Sequence, residues 1–474
     1  MQGRELRVGI QFAPKAGFAI DTDDAFVLSQ LGVTETLVVA NPDGSVAPGL
    51  AVSWQRDDPR TWRFRLREKV RFQNGEPLTG QAVATALTHA LSSPTPPRGL
   101  TGLTATASGP LEVLLRTQAP DPVLPQRLAS PNTAILAPAA YRSGQRPEVV
   151  RTGTGPFQIT AQQPGQGVTL ARFDGYWGKH PALDRVRVRF IKDAQARVAA
   201  LRAGELDLVQ GVPISQLPVL KGLDGVRVQS YEVPRVTSLY MNMSAAPFAD
   251  RRVREAVAAA IDRRLLAETV FSGSAKPAAQ VFGPILPWVP EAAPPGADPE
   301  RAARLLREAG YSALKVRLWT YHERPELPEL ATAIQGMLAK AGIKVETRVA
   351  DYATLEGDVL AGRYDLFLLS RSYLTDVNDL AGFLASDFGC QGAYNLNRYC
   401  SAELDELVAE LRNIEDLRQR QAAFARAAAL LARDVAGLPL VHEQARVAMS
   451  TRVTGFQPDP LGHRLVTPDL AVSG

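Results

Sequence analysis

Helical and strand patterns alternate over residues 299–370, and this alternation restricts the fold more than any other feature of the chain. Apolar spacing predicts three helices, each followed by a strand. The predicted helices are Pro299–Ala309, Leu327–Ala341 and Tyr352–Ala361, and the predicted strands are Lys315–Tyr321, Ile343–Val349 and Tyr364–Ser370. Such alternation indicates a parallel, twisted sheet covered by helices on both faces. Ligands of these sheets lie beyond the carboxyl ends of the strands, so we expect a site directly after Ser370.

A second segment, Ser238–Arg264, has the pattern of a strand, a turn and an amphipathic helix. Its first residues alternate between apolar and polar side chains, which is typical of a half-buried strand. Pro247 ends this strand, and Asp250 is placed to cap the helix that follows. The helix then carries apolar residues at steps of three and four, so one of its faces is predicted to be buried.

Composition excludes several classes of protein. A chain of 474 residues is too long for one ordinary core, so two or three domains are expected. The formal net charge is only +4, and the basic residues are scattered among acidic ones. No nucleic-acid surface is therefore predicted, because such a surface needs clustered Lys and Arg. No apolar run approaches the length of a membrane span.

The N-terminal residues MQGRELRVGIQFAPKAG lack the long apolar core of a signal peptide. The residues themselves leave two possibilities open. Either the protein is cytoplasmic, or it is exported and its export signal is absent from this sequence.

Two cysteines, Cys390 and Cys400, flank a short polar loop. They have no neighbouring His and no further thiols, so they cannot complete a zinc site. A disulfide that closes the loop is the preferred interpretation, and it would indicate an oxidising compartment. A pair of buried free thiols is the alternative.

No catalytic motif is recognisable. The five histidines are dispersed along the chain, and His442-Glu443 begins like a zinc-protease helix but has Arg446 where the second His would be required. Neither a nucleophile elbow nor a phosphate-binding loop is present in the sequence. We therefore expect a protein that is not an enzyme, with no cofactor and no resident metal.

Several segments together resemble the extracytoplasmic solute-binding proteins of peptide and nickel ABC importers. Each segment matches a motif of that family in register. These segments are Asp43–Trp54, Thr61–Arg67, Val70–Pro77, Gly153–Phe157, Tyr176–Gly178 and Tyr240–Arg263. The resemblance covers nearly the whole chain, from Asp43 to about Val447.

The resemblance implies an α/β fold of the two-lobed periplasmic-binding-protein type, with an extra subdomain and two hinge crossings. Lobe I is expected at residues 1–40, 153–234 and 443–474, the extra subdomain at 41–152, and lobe II at 235–442. Pro234 lies between two predicted strands, so one crossing is placed at Val233–Thr237 and the other near His442. A single long helix is predicted over Ala402–Val435. Paired hinge strands would let the lobes bend without unfolding.

The segment after Ser370 also matches the ligand site of peptide-binding members. There, an Asp pairs with the α-ammonium group of the ligand and an aromatic residue lines the pocket. Asp376 falls on that Asp and Tyr373 on the aromatic residue, although Tyr373 replaces the usual Trp. The alternative for Asp376 is a solvated turn. A carboxylate buried on ligand binding requires a cationic partner, which a peptide would supply.

Six further residues are candidate ligand contacts, and each has a structural alternative. Arg371 could bind a ligand carboxylate bidentately or form an outward salt bridge. The resemblance adds the others, which lie on the cysteine loop or at the two crossings. They are Asn395, Tyr399, Tyr240, Asn242 and His442.

The resemblance implies a substrate-binding subunit that captures a short peptide in the cleft between two lobes and delivers it to a membrane permease. The alternative ligand is a metal chelate, such as a nickel or other metallophore complex, or another small amino-acid-derived compound. Nickel-binding members carry an Arg in the stretch that matches Pro131–Pro138, which has none here, although Arg371 or Arg127 could replace it. We expect a monomer, periplasmic or lipid-anchored, that binds no nucleic acid. A cytoplasmic hydrolase or scaffold would instead need reduced cysteines.

Overall fold

The computed structural model describes residues 4–93, 96–142, 145–374 and 378–473. The chain forms two compact units. Unit 1 contains the described residues of Met1–Tyr231 and Ala445–Gly474 together with Asn378, and unit 2 contains those of Glu232–Thr375 and Asp379–Gln444. The division of the chain into lobes and an extra subdomain stays a prediction.

The strands and helices alternate along much of the chain. The strands are β1 (Glu5–Ile10), β2 (Val38–Ala40), β3 (Val46–Pro48), β4 (Ala51–Asp58), β5 (Thr61–Leu66), β6 (Thr104–Gly109), β7 (Glu112–Arg116), β8 (Phe157–Gln163), β9 (Gly167–Arg172), β10 (Arg185–Phe190), β11 (Leu208–Gln210), β12 (Val226–Met241), β13 (Lys276–Pro277), β14 (Leu314–Tyr321), β15 (Ile343–Ala350), β16 (Leu366–Ser372), β17 (Leu438–Ser450), β18 (Val453–Thr454) and β19 (Ala471–Val472). The helices are α1 (Asp24–Gln30), α2 (Gly80–Ser92), α3 (Leu124–Arg127), α4 (Ala194–Arg202), α5 (Leu217–Lys221), α6 (Arg251–Ala260), α7 (Arg263–Thr269), α8 (Pro299–Glu308), α9 (Glu326–Lys340), α10 (Tyr352–Leu360), α11 (Leu380–Asp387), α12 (Ala402–Glu410) and α13 (Leu417–Arg433). Short 3-10 turns lie at Pro131–Thr133, Pro138–Ala140 and Ile214–Gln216.

Two of the sheets in unit 1 have separate apolar cores. In the first sheet, β1 pairs in parallel with β10 and β11, and β9 and β8 continue in antiparallel order. The second is the antiparallel sheet β4-β5-β7-β6, against which α2 packs. On β5, Phe64 is buried while Arg63 on the opposite face bonds to Asp57 and Glu112. One face of β5 therefore packs on the core and the other is polar, as its alternation predicts.

Unit 2 is built on the alternating segment. All six predicted elements of residues 299–370 form, within a few residues at their ends, as α8, β14, α9, β15, α10 and β16. Strand β14 pairs in parallel with both β15 and β16, and β12 adds an antiparallel neighbour to β16. The α/β fold class is thereby confirmed. The capping prediction is also confirmed, because the Asp250 side chain accepts a hydrogen bond from the Arg252 amide at the start of α6.

Two secondary-structure predictions are wrong. Strand β12 runs unbroken through Pro234, where the sequence predicts two separate strands. The missing N–H of this proline costs little, because pairing with β16 begins one residue later and the Pro234 carbonyl accepts a hydrogen bond from the Tyr373 amide at 3.0 Å. The long helix predicted over Ala402–Val435 is instead divided into α12 and α13, and Asp416 caps the second of them.

Among the helices of the described residues, none combines the length and the apolar composition needed to cross a membrane.

Candidate ligand-binding site

Unit 2 gathers three arginines at the carboxyl ends of its parallel strands. Arg324 follows the end of β14, and Arg371 is the penultimate residue of β16. Arg235 lies at the same end of the sheet, because β12 runs antiparallel to β16 and Arg235 is in register with Ser372. This is the edge at which ligands of α/β sheets bind.

Glu443, on β17, is the buried acid of this group, with 8% of its surface exposed. Its carboxylate accepts hydrogen bonds from the Thr237 hydroxyl at 2.6 Å, the Ser370 hydroxyl at 2.5 Å and the Arg324 guanidinium at 2.9 Å. Burial by itself would raise the pKa of Glu443, but the positive charges of Arg324 and Arg235 and the two hydroxyl donors lower it to about 2. Glu443 is therefore an anion at neutral pH, and Arg324 is its direct ion partner.

Arg235 has no comparable partner among the described residues. One of its guanidinium nitrogens donates to the Ser370 carbonyl at 3.4 Å and to the Ser370 hydroxyl at 3.2 Å. Within the described parts of the chain, no carboxylate oxygen lies within 4.0 Å of this guanidinium. Burial, followed by repulsion from Arg324, lowers the pKa of Arg235 to about 10, so the group stays protonated at neutral pH. A fixed positive charge is thus available to an anionic group of a ligand.

Tyrosine rings lie beside the arginines. The rings of Tyr321 and Tyr352 have centroids 5.3 Å apart, and the hydroxyls of Tyr352 and Tyr394 are in contact. The Arg371 guanidinium lies 4.6 Å from the centroid of the Tyr394 ring, which is a cation–π contact. Burial raises the pKa of Tyr394 to about 12, so its hydroxyl is neutral. The site therefore offers aromatic surface next to positive charge, a combination suited to a small organic anion.

Arg371 and Arg127 are both paired with acids of the protein. The Arg371 guanidinium donates to both oxygens of Asp387, at 2.6 and 3.0 Å. Arg127 pairs with Asp121 at 2.8 Å in unit 1. These ion pairs match the structural alternative for Arg371, and a ligand carboxylate would have to compete with Asp387 for its guanidinium.

Tyr373 is packed inside unit 2. Its hydroxyl accepts a hydrogen bond from the Gly283 amide at 3.1 Å, and its ring packs against Phe282 and Phe383. Burial raises its pKa well above the usual value. Asp376, the predicted partner of a peptide ammonium group, lies outside the described residues, so its role stays a prediction.

The structure joins Cys390 and Cys400 in a disulfide, and the predicted contact residues of this loop hold it together. The Asn395 amide donates to the carbonyls of Gly389 at 2.9 Å and Tyr399 at 2.6 Å. The Tyr399 hydroxyl donates to Asp434 at 2.7 Å. Asn395 and Tyr399 therefore have structural partners, and their contact with a ligand stays a prediction.

The candidates at the two predicted crossings are buried as well. Tyr240 is in the core of unit 2, where burial raises its pKa. The Asn242 amide donates to the carbonyls of Gly362 and Tyr364, which ties the end of β12 to the turn before β16. Burial lowers the pKa of His442 to about 4, and its Nδ1 has no hydrogen-bond partner among the described residues.

Sequence reasoning missed the most informative residues of the site. Arg235 lies in the segment that was interpreted as a hinge crossing. Glu443 was considered only as part of a zinc-protease motif that lacks its second His. Arg324 could have been predicted from the sequence, because it follows a predicted parallel strand just as the segment after Ser370 does. Applying the carboxyl-end rule to every predicted strand would have found Arg324.

Comparisons with known proteins agree with this architecture. A sequence model of the family described as "Bacterial extracellular solute-binding proteins, family 5 Middle" matches residues 45–395. The nickel-binding protein NikA of Staphylococcus aureus is 27% identical over 470 residues, which cover 98% of this chain and 93% of NikA. The glutathione-binding protein GsiB of Escherichia coli is 28% identical over 415 residues, which cover 84% of this chain and 81% of GsiB.

A solved structure extends the likeness to three dimensions. The nickel ABC transporter protein of Bacillus halodurans is 28% identical, with a TM-score of 0.87 over 99% of this chain and all of that one. The two-lobed fold expected from the sequence is the fold of these relatives. The chain belongs to the family 5 bacterial extracellular solute-binding proteins, the substrate-binding proteins of ABC importers.

Proposed function

We propose that this chain captures a small amino-acid-derived solute by its carboxylate and delivers it to the membrane permease of an ABC importer. A short peptide is the first candidate for the solute. The capture is non-catalytic and extracytoplasmic, in keeping with relatives that are named as binding proteins and with a family described as extracellular. The proposed partner is the permease, and the binding protein acts as a monomer.

The observation that carries this proposal is that the guanidinium of Arg235 has no ion partner among the described residues. Its guanidinium is positively charged, the residue is half-buried, and Glu443 is already engaged by Arg324 and two hydroxyls. A ligand carboxylate would supply the ion partner that the described residues do not, and Arg can bind a carboxylate through two parallel hydrogen bonds. The neighbouring tyrosines would contact the apolar part of the ligand.

A second candidate is a metal ion complexed by amino acids or by a larger chelator. The observation that favours it is the solved structure of S. aureus NikA with Ni(L-His)2, a protein 26% identical to this chain with a TM-score of 0.78. Such complexes present carboxylates too, so Arg235 would serve either ligand. The two candidates differ in whether a metal is required.

The experiment is native mass spectrometry of the purified protein, followed by denaturation and identification of what is released. Titration calorimetry then tests glutathione, mixed dipeptides and Ni²⁺ with excess L-histidine as probes. Arg235→Gln should lower the affinity for whichever probe binds at least tenfold. Arg363→Gln, which changes an exposed arginine paired with Asp358 on the same unit, should have no effect.

Released peptides, or binding of dipeptides without metal, would support the first candidate. Binding that requires both Ni²⁺ and the amino acid would support the second. If Arg235→Gln binds the same probe as tightly as the wild type, carboxylate capture by Arg235 is wrong.

A further inference from the structure

Three side chains of types that can ligate metal lie at the same edge of the sheet as the candidate ligand site, but none of them is used by the proposed function. His322, Glu323 and Asp351 each offer one ligand atom, and these atoms lie within 4.8 Å of one another. His322 and Glu323 directly follow β14, and Asp351 directly follows β15. We propose that these three residues bind a divalent first-row transition metal ion on unit 2.

The strand register explains why the side chains meet. Strands β14 and β15 pair in parallel, and the last pair in register is Tyr321 with Ala350. His322 and Asp351 directly follow the ends of these two strands, so the sheet brings them side by side. Their nearest side-chain atoms, His322 Nε2 and Asp351 Oδ1, are 3.3 Å apart.

Asp351 precedes helix α10 but does not cap it with its side chain. It occupies the N-cap position of α10, where an Asp side chain normally accepts an amide hydrogen of the first turn. Here its side chain makes no cap hydrogen bond, and Glu323 instead accepts the Tyr352 amide hydrogen at 2.9 Å. The Asp351 carboxylate is thus turned toward His322 rather than toward its own helix.

The donor set indicates the class of metal. Two carboxylates and a neutral imidazole carry a formal charge of −2, which matches a dication. An imidazole nitrogen among oxygen ligands favours Ni²⁺, Co²⁺, Cu²⁺ or Zn²⁺ over Mg²⁺ and Ca²⁺, which prefer oxygen alone. The His322 and Asp351 side chains are 52% and 67% exposed, so water would complete the coordination shell.

This site goes beyond the proposed function, because it shares no residue with the group around Arg235 and takes a metal ion without an organic ligand. The test is titration calorimetry of protein without an affinity tag, dialysed against a chelator and then freed of it, with ZnCl₂ and NiCl₂ as probes in the absence of amino acids. His322→Gln and Asp351→Asn should each lower the association constant at least tenfold. His180→Gln, which changes another exposed histidine, should leave it within twofold.

Circular dichroism and thermal unfolding in the presence of chelator would verify that each variant folds like the wild type. CaCl₂ should bind at least tenfold more weakly than ZnCl₂. The proposal is overturned if the wild type binds neither Zn²⁺ nor Ni²⁺, or if His322→Gln binds them as tightly as the wild type. Equal decreases of the association constant in His322→Gln and His180→Gln would also overturn the proposal, since they would indicate that the metal binds nonspecifically to surface histidines.

Discussion

Arg324 donates a hydrogen bond to Glu443 at 2.9 Å, and this ion pair ties the loop after β14 to β17. The same carboxylate accepts the hydroxyls of Thr237 and Ser370, so all of its direct partners are donors. Glu443 contacts Arg324 directly, and it also attracts the positive charge of Arg235 from a greater distance. Two guanidinium groups and one carboxylate leave this group with a net positive charge, which we propose is met by a ligand carboxylate.

Replacing the carboxylate of this pair should destabilise the fold. In Glu443→Gln the side chain keeps its size, but Arg324 loses its ion partner and repulsion between Arg324 and Arg235 is no longer offset. We expect the free energy of unfolding to fall by about 1.5–3 kcal/mol, the usual contribution of hydrogen bonds to charged groups. Urea denaturation at pH 7 measures this change. The control is Glu268→Gln, on an exposed face of α7, and equal stability of both variants would contradict the prediction.

His442 should make the protein sensitive to mild acid. Its pKa is 6.5 in the unfolded chain and about 4 in the fold, because burial disfavours the charged ring. Its stabilising contribution is complete above pH 6.5 and is lost as the pH falls toward 4, because only the unfolded state gains the proton. The wild type should therefore lose on the order of 3 kcal/mol more than His442→Gln between pH 7 and pH 4.

Denaturant unfolding at a series of pH values tests this prediction. His180→Gln is the matched control, and its pH dependence should follow that of the wild type. Parallel curves for the wild type and His442→Gln would show that the buried ring does not set the acid sensitivity.

Arg420 and Asp379 form a buried ion pair that should be costly to break. Two guanidinium nitrogens contact the carboxylate at 2.7–2.9 Å, and a third donates to the carbonyls of Leu411 and Ile414. Arg420→Lys keeps the positive charge but cannot reproduce this fork, so hydrogen bonds to Asp379 and to the two carbonyls would be lost. We expect a loss of about 1.5–3 kcal/mol in unfolding free energy, measured by urea denaturation. Arg418→Lys, at an exposed position of α13, should lose less than about 0.5 kcal/mol. A similarly small loss in Arg420→Lys would refute the prediction.

The disulfide should be present in the purified protein and should stabilise the loop that it closes. A thiol count on denatured, unreduced protein should find no free cysteine. The double variant Cys390→Ser with Cys400→Ser should lose about 2–3 kcal/mol, the cost expected from releasing a loop of this length. Reduction of the wild type is the control and should give the same loss. Two titratable thiols in the unreduced protein would mean that the bridge does not form.

Local patterns in the sequence determined most of the secondary structure of unit 2. The helix and strand periods of residues 299–370 and the cap at Asp250 depend on residues only a few positions apart, and they were predicted correctly. Pro234 misled the prediction because a proline usually interrupts a strand. Whether its missing N–H matters depends on the neighbouring strand, which the local pattern does not contain.

What the sequence by itself determined is the family and the α/β class, since both are written in motifs and periods read along the chain. The edge of the sheet where a ligand binds stays a prediction. Only the tertiary structure decided which arginines of the described residues pair with acids. Thr237 and Arg324 reach Glu443 from 206 and 119 positions away in the chain, whereas Arg371 meets Asp387 after only 16. Charge pairing is decided by distances in space, and strands brought together by the fold set those distances.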